Sequence, residues 1–214
     1  MSRCVLFIAG DLSIKGSRCG APYRRPLGAD CTISVGVMSD SANAPTYPEL
    51  DANERTTLAQ FLDHYRARAL KQLAALSDDQ ARAISLPATN LTPAGVVKHL
   101  AHMEDHWFTG RVGAGELPEP WASAPFDIQP DWDFESAAED TVDEITTLYR
   151  VACERSRMVT SSLPGLEIKA RRSSFGRGPV TLRWVMVHML EETACHVGHL
   201  ELLTDPFRER HQHH

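Results

Sequence analysis

A carboxylate and an imidazole lie four residues apart in an apolar helical face near the end of the chain. In the segment LRWVMVHMLEETACHVGHLELL, a wheel of about 100° per residue places Glu192 and His196 in the same sector as Val185 and Met189. Burial removes water from such polar groups, and the loss must be compensated by a partner inside the protein. The spacing therefore predicts that Glu192 and His196 share a partner.

A histidine in another predicted helix could complete the site. His99 borders the apolar face of the segment that follows Thr92, and side chains from two facing helices of a bundle can converge on one metal ion. His99, Glu192 and His196 would supply three ligands and leave one position for water or a substrate thiolate, as in catalytic zinc sites. Taken singly, each residue has a simpler interpretation, either a hydrogen-bonded core histidine or a Glu–His ion pair within one helix.

Four further histidines lie near these ligands in the sequence and could assist catalysis. His102 and His106 share the side of His99 but are expected to turn further toward solvent. His188 and His199 lie at the margin of the apolar face of the last helix. If a metal activated water, any of the four could act as the base, and the pattern does not choose among them.

Basic residues precede the last helix, and histidines end the chain. Five cationic side chains lie in the loop before Thr181 and the helical turn after it: Lys169, Arg171, Arg172, Arg177 and Arg183. Arg183 is the candidate for binding an anionic cofactor or substrate, although an ordinary solvated loop explains the same charges. The terminal histidines, His211, His213 and His214, are expected to fray and to bind adventitious metal.

Apolar residues at three- and four-residue spacing predict four long helices. They are expected over residues 53–76, 92–110, 138–163 and 182–203. Ser77 with Gln80 forms a capping box that starts a short extra piece. Thr92 precedes Pro93 at a second start signal, and Thr181 caps the last helix. No strand pair with a hairpin signal is apparent, so the sequence predicts an all-α four-helix bundle.

The predicted organisation is one helical domain with two irregular ends. Residues 1–50 are rich in Gly and Pro and read as a weakly ordered extension, residues 51–205 as the bundle, and residues 206–214 as a His-rich tail. The stretch after Met38 looks like a lead-in to the first helix. We therefore hypothesise that the native chain begins at Met38.

The composition excludes several functional classes. The formal charge is −6, which argues against binding to nucleic acid or to anionic membranes. No apolar run approaches the roughly 20 residues needed to span a bilayer. The five cysteines form no CxxC pair, as expected in a reducing cytoplasm. The sequence thus predicts a cytoplasmic protein acting on a small molecule, with a homodimer through exposed helix faces left open.

Three segments resemble the DinB-like superfamily of metalloenzymes, in particular its actinobacterial branch first catalogued as a domain of unknown function. They are LTPAGVVKHLAHMEDHWF, DTVDEITTLYRVACERSR and VTLRWVMVHMLEETACHVGHLELL, and the resemblance covers about residues 50–205. The resemblance implies a four-helix bundle with up-down-down-up topology. Many members carry three histidines, the last two as HxxxH, whereas this chain has Glu192 in place of the first of that pair.

The departure at Glu192 is similar to the mycothiol-dependent maleylpyruvate isomerase branch, which uses His, Glu and His around zinc. The resemblance implies that His99, Glu192 and His196 bind a divalent metal, with zinc first and nickel, iron or manganese as alternatives. It also implies a thiol-dependent S-transferase or isomerase with mycothiol as co-substrate. Such a reaction is physically reasonable, because a thiol coordinated by the metal loses its proton and becomes a nucleophile. A hydrolase that activates water and a non-catalytic metal-binding protein are the alternatives.

Overall fold

The computed structural model describes residues 47–174, 176 and 178–208. Most of the predicted N-terminal extension and most of the His-rich tail therefore lie outside the described residues, as do the start at Met38 and the basic residue Arg177. Within the described ranges the backbone forms helices and connections, with an isolated antiparallel bridge between Lys169 and Thr181 in place of any strand. None of these helices is both long and apolar enough to cross a bilayer.

The helices follow the predicted order, including the short one that starts after Ser77, and a further short helix precedes the third long one. The four long ones are α1 (Glu54–Ala74), α3 (Pro93–Glu104, continued by a π-helical segment, Asp105–Val112), α5 (Val142–Ser162) and α6 (Leu182–Thr204). The short ones are α2 (Asp78–Arg82) and α4 (Trp132–Glu135), with 3₁₀ turns at Ser136–Ala138 and Asp205–Phe207. The all-α prediction is confirmed.

Side-chain caps explain where the helices begin. The Asn53, Ser77, Thr92, Thr141 and Thr181 side chains each accept a hydrogen bond from a backbone N–H in the first turn of the helix that follows. Such a bond satisfies one of the N–H groups that the first turn leaves without a partner. At Ser77 and Thr141 the bond is reciprocated by Gln80 and Glu144, which completes a capping box.

Helices α1 and α6 run parallel. Near their N-termini, Glu54 pairs with Arg183, and near their C-termini, Arg68 pairs with Glu201. Because both ends match in the same order, the two helices point the same way.

Helices α3 and α5 also run parallel, and together they oppose α1 and α6. Lys98 pairs with Asp140 just before α5, and Asp105 just after α3 pairs with Arg155. Helix α3 is antiparallel to α6, because His99 contacts His196 while Trp107, eight residues later, contacts the earlier His188. These directions give the up-down-down-up topology that the resemblance implies.

The core lies between the long helices and contains charged groups as well as apolar ones. Leu100, Tyr149 and Leu200 come from three different helices and are fully buried. Glu104 is also fully buried, and it accepts hydrogen bonds from the Arg66 guanidinium, with Nε 2.8 Å from Oε1. This pair ties α1 to the end of α3.

The connection after the π-helical segment folds back over α3, and it extends beyond Ala138, where the third long helix is predicted to begin. It contains α4 and a 3₁₀ turn, and α5 begins only at Val142. The Phe134 ring stacks on His99 and the Phe126 ring on His102, with ring centroids 4.2 and 4.5 Å apart. The connection thus covers the histidine face of α3.

Candidate metal centre

The three predicted ligands meet between α3 and α6. His99 lies in the second turn of α3, and Glu192 and His196 lie one turn apart on α6. One ligand atom of each residue lies within 4.8 Å of the others. His99 Nε2 is 3.2 Å from Glu192 Oε1, and His196 Nε2 is 3.3 Å from the same oxygen. The structure therefore brings together the three residues that the helical wheel selected.

These separations fit a small divalent ion with nitrogen and oxygen ligands. Metal bonds of about 2.0–2.2 Å in a tetrahedral arrangement place neighbouring ligand atoms roughly 3.3–3.6 Å apart. Of the two distances to Glu192 Oε1, the 3.3 Å one lies at the lower limit of that range and the 3.2 Å one just below it. His196 is buried, whereas Glu192 keeps partial exposure. The carboxylate side of the cluster is thus the side that faces water.

Asp133, in the connection before α5, binds the ring nitrogen of His99 that does not face Glu192. Asp133 Oδ2 accepts hydrogen bonds from His99 Nδ1 at 2.9 Å and from His102 Nδ1 at 2.8 Å. Asp133 is 2% exposed. Since Nδ1 of His99 is engaged by Asp133, its Nε2 is the atom that faces Glu192. Ligating histidines in proteins commonly have such a carboxylate on the other ring nitrogen.

The charges of this cluster stabilise one another. Burial alone would lower the pKa of His99, but its hydrogen bonds to Asp133 and Glu192 outweigh burial and raise it to about 9. The pKa of Glu192 is held well below its usual range, first by the hydrogen bond with His196 and then by that with His99. The pKa of Asp133 is also held low, because the two histidines outweigh its burial. Both carboxylates are therefore ionised near neutral pH, which is the form that binds metal.

Comparison with known families identifies one that covers this cluster. The model of the mycothiol S-transferase family matches residues 57–211, a range that includes all three predicted ligands. The chain belongs to this family. The match also confirms the DinB-like resemblance seen in the sequence. No curated protein matches the chain.

One expectation about this mycothiol S-transferase family member is wrong: His102 does not turn toward solvent. It is 8% exposed, because the Phe126 and Trp121 rings of the connection cover it. The wheel treated α3 as an isolated helix and could not anticipate that covering.

The other candidate helpers occupy different surroundings. His199 Nδ1 lies 3.3 Å from His196 Nδ1, so one of these rings donates a hydrogen bond to the other. His188 lies one turn before Glu192, and its ring stacks on Trp184. His106 Nε2 accepts a hydrogen bond from Arg111 Nε at 3.3 Å. Among these histidines, His102 is the one hydrogen-bonded to Asp133, the carboxylate that also binds His99.

The predicted anion-binding residue Arg183 lies away from this cluster. It precedes Glu192 by nine residues on α6, about 13 Å along the helix axis. Its guanidinium pairs with the carboxylates of Glu54 and Glu167. Arg172, in the basic loop before α6, donates a hydrogen bond to the backbone carbonyl of Ala114.

Sequence reasoning missed the second layer of the site, Asp133 and Phe134. Both lie in a Pro-rich connection, where no helical period marks an inward face. The local signal was an acidic residue between two aromatic ones, Trp132-Asp133-Phe134. That pattern gains meaning only once the connection is known to fold over α3.

Proposed function

We propose that the protein is a divalent-metal-dependent S-transferase that uses mycothiol as its thiol substrate. The observation that carries the proposal is the coincidence of the family match with the cluster of His99, Glu192 and His196. The family supports the thiol, and the cluster supports the metal. Neither alone would support a metal-dependent thiol transfer.

The three side chains are suited to binding the metal and orienting the thiol. His99 and His196 offer ring nitrogens and Glu192 a carboxylate oxygen, a donor set that zinc accepts readily and that nickel, iron and manganese also accept. When bound, the metal lowers the pKa of a thiol that coordinates it. The exposed side of Glu192 gives the thiol a route from water.

His102 is our candidate for accepting the thiol proton. Its Nδ1 donates to Asp133, so its Nε2 carries the lone pair that can take a proton. A carboxylate on Nδ1 also stabilises the imidazolium formed by that transfer, as in other histidine–aspartate pairs. The ring is fixed by stacking on Phe126. His188 and His199 have no such carboxylate partner among the described residues.

The isomerase, hydrolase and non-catalytic alternatives share the same ligand set and differ in what reacts. An isomerase also needs mycothiol but returns it unchanged, whereas a hydrolase needs only water. The family match favours consumption of the thiol. A binding protein would be stabilised by metal without turnover.

The test is conjugate formation by zinc-loaded protein with mycothiol and a bimane electrophile, followed by fluorescence and mass spectrometry. We expect a mycothiol–bimane conjugate well above the uncatalysed rate, loss of the reaction after chelation, and recovery after zinc is restored. Free cysteine in place of mycothiol should react at the uncatalysed rate. A zinc-loaded protein that accelerates no mycothiol conjugation would overturn the transferase proposal.

A further inference from the structure

We propose that Asp133 is a positioning residue of the metal centre, which fixes His99 so that Nε2 faces the metal and sets the matching orientation of His102. This inference rests on the proposed metal dependence and adds a residue from outside the two ligand-bearing helices. It makes the connection between α3 and α5 part of the site.

The carboxylate of Asp133 uses both of its oxygens. Oδ2 accepts from the Nδ1 atoms of His99 and His102, at 2.9 and 2.8 Å. Oδ1 accepts from the backbone N–H of Phe134 at 3.1 Å. An ionised carboxylate only accepts hydrogen bonds, so the Nδ1 atoms of His99 and His102 must each carry a proton.

This requirement determines the tautomer of His99. A neutral imidazole that donates from Nδ1 has its lone pair on Nε2. Nε2 is the atom that faces Glu192 Oε1 at 3.2 Å. Without metal, this nitrogen donates its proton to Glu192; once a metal replaces that proton, Asp133 keeps the lone pair on Nε2, directed toward the other two proposed ligands. Without Asp133, the ring could place its proton on Nε2 and bind metal poorly.

Packing holds the aspartate in this place. The Phe134 ring stacks on the His99 ring, with centroids 4.2 Å apart. A Cβ at Gly95 would come 2.9 Å from the Phe134 carbonyl oxygen, so this glycine lets the connection approach α3 closely. The close approach of the Phe134 backbone to α3 thus keeps Asp133 beside His99.

A merely structural role would make a different demand on Asp133. If it only anchored the connection to α3, any neutral side chain of the same shape that kept one hydrogen bond would suffice. Asn has that shape but only one acceptor oxygen. With its oxygen toward the histidines, its amide would face the Phe134 N–H; turned round, its amide would face two N–H donors. Asp133→Asn thus weakens the control of the tautomer, because neither orientation of the amide accepts from all three donors, while the volume changes little.

The experiment measures Co²⁺ binding by Asp133→Asn, Asp133→Glu and Asp140→Asn. Asp140→Asn is the matched control, since it removes a carboxylate that contacts the same helix through Lys98. We expect Asp133→Asn to bind Co²⁺ about 10- to 100-fold more weakly than the parent, as for other changes behind metal-bound histidines, and to change the visible Co²⁺ spectrum. Asp133→Glu should recover part of the affinity, and Asp140→Asn should match the parent.

A second measurement does not depend on how the variants fold. Nitrogen-15 spectra of histidine-labelled, zinc-loaded parent protein report which ring nitrogen binds metal and which carries a proton. We expect His99 to bind through Nε2 with a proton on Nδ1, as the hydrogen bond to Asp133 dictates.

The outcomes separate this inference from the proposed function. Binding of metal by His99 through Nδ1, or equal Co²⁺ affinity and spectrum in the parent and a folded Asp133→Asn, would overturn the role of Asp133 alone. Failure of the parent to bind Co²⁺ or Zn²⁺ at all would instead remove the metal centre. Loss of Co²⁺ affinity in Asp140→Asn equal to that in Asp133→Asn would also overturn the inference, because it would show a general effect of disturbing the connection.

Discussion

Histidines on the same helical segment experience opposite electrostatic environments. Two carboxylates raise the pKa of His99 to about 9, whereas burial lowers the pKa of His106 to about 4, with smaller contributions from the nearby His102, Arg111 and His188. His99 is therefore suited to exchange a proton for a metal ion. His106 stays neutral and accepts a hydrogen bond from Arg111.

The low pKa of His106 makes stability depend on pH. The unfolded chain takes up a proton near pH 6.5, whereas the folded chain does so only near pH 4. The contribution is fully present above pH 6.5 and is lost as the pH falls toward 4. As the pH falls from 7.5 to 5, the parent loses this contribution and His106→Gln, which still accepts from Arg111, does not. We therefore expect the free energy of unfolding of the variant to rise by about 2 kcal/mol relative to that of the parent.

Urea unfolding of both proteins at the two pH values measures this gain. Subtracting the free energy of unfolding of the parent from that of His106→Gln removes the contribution of carboxylates that titrate in the same pH range, because both proteins contain them. A difference that stays constant from pH 7.5 to pH 5 would show that His106 takes up its proton as readily in the folded protein as in the unfolded chain.

At the scale of elements, the close approach of the connection to α3 depends on Gly95. Gly198 provides a matched comparison, since a Cβ there would meet nothing within 4 Å. Alanine is a better helix former than glycine by about 1 kcal/mol, so Gly198→Ala should raise stability by about 0.5–1 kcal/mol. Gly95→Ala should lower stability despite the same propensity gain, because its methyl group would meet the Phe134 carbonyl oxygen.

Gly95→Ala should also weaken Co²⁺ binding, because the displaced backbone carries Asp133. Thermal unfolding and Co²⁺ titration of the two glycine variants check both effects. Equal stabilisation by the two substitutions, with unchanged Co²⁺ affinity, would mean that the connection does not depend on close contact with α3.

Local signals predicted most helix starts. The caps at Ser77, Thr92 and Thr181 act within one turn, so the residues that form them are adjacent in sequence. Apolar spacing alone predicts too early a start for α5, because the start is determined by the Thr141–Glu144 capping box. The π-helical segment after α3 could not be foreseen, since its apolar residues follow the α-helical period in sequence.

The site was predictable only where it follows helix periodicity. Glu192 and His196 share one turn, and His99 borders an apolar face, so a wheel finds all three. Asp133 lies on the connection, and its position depends on how that connection folds over α3. The burial of His102 depends on the same long-range packing. Sequence periodicity carries no information about such contacts.

At the scale of the whole molecule, charged pairs inside the bundle fix the helices that carry the site. Asp105 is fully buried and accepts from Arg155, with distances of 2.7 and 2.6 Å, and from Trp121 Nε1 at 3.0 Å. Removing one partner of such a pair leaves a buried charge uncompensated and costs about 3–5 kcal/mol. Dimerisation through exposed helix faces stays a prediction.

A bound metal would join α3 and α6, which are far apart in sequence, and should therefore stabilise the entire fold. At a free Zn²⁺ concentration 100 times the Kd, the gain is about 2.7 kcal/mol. For a domain of this size that gain corresponds to roughly 5–10 °C in Tm. Calorimetry with and without Zn²⁺ measures it, with His99→Ala as the control that should show almost no rise. A rise of the same size in His99→Ala would place the stabilising metal elsewhere.

The central claim is that Glu192 is a metal ligand rather than a partner in a helical ion pair, and a single substitution tests it. The measurement is Zn²⁺ content and affinity of Glu192→Gln in a full-length chain whose tail histidines, His211, His213 and His214, are replaced by Gln. Glu191→Gln is the matched control, since Glu191 is the exposed neighbour on the same helix.

We expect about one Zn²⁺ per chain in the tail-substituted parent and in Glu191→Gln. In Glu192→Gln the affinity should fall at least about tenfold, because the amide keeps the shape of the carboxylate but loses its charge. Zn²⁺ content and affinity in Glu192→Gln equal to those of the parent would contradict the metal centre and the function built on it.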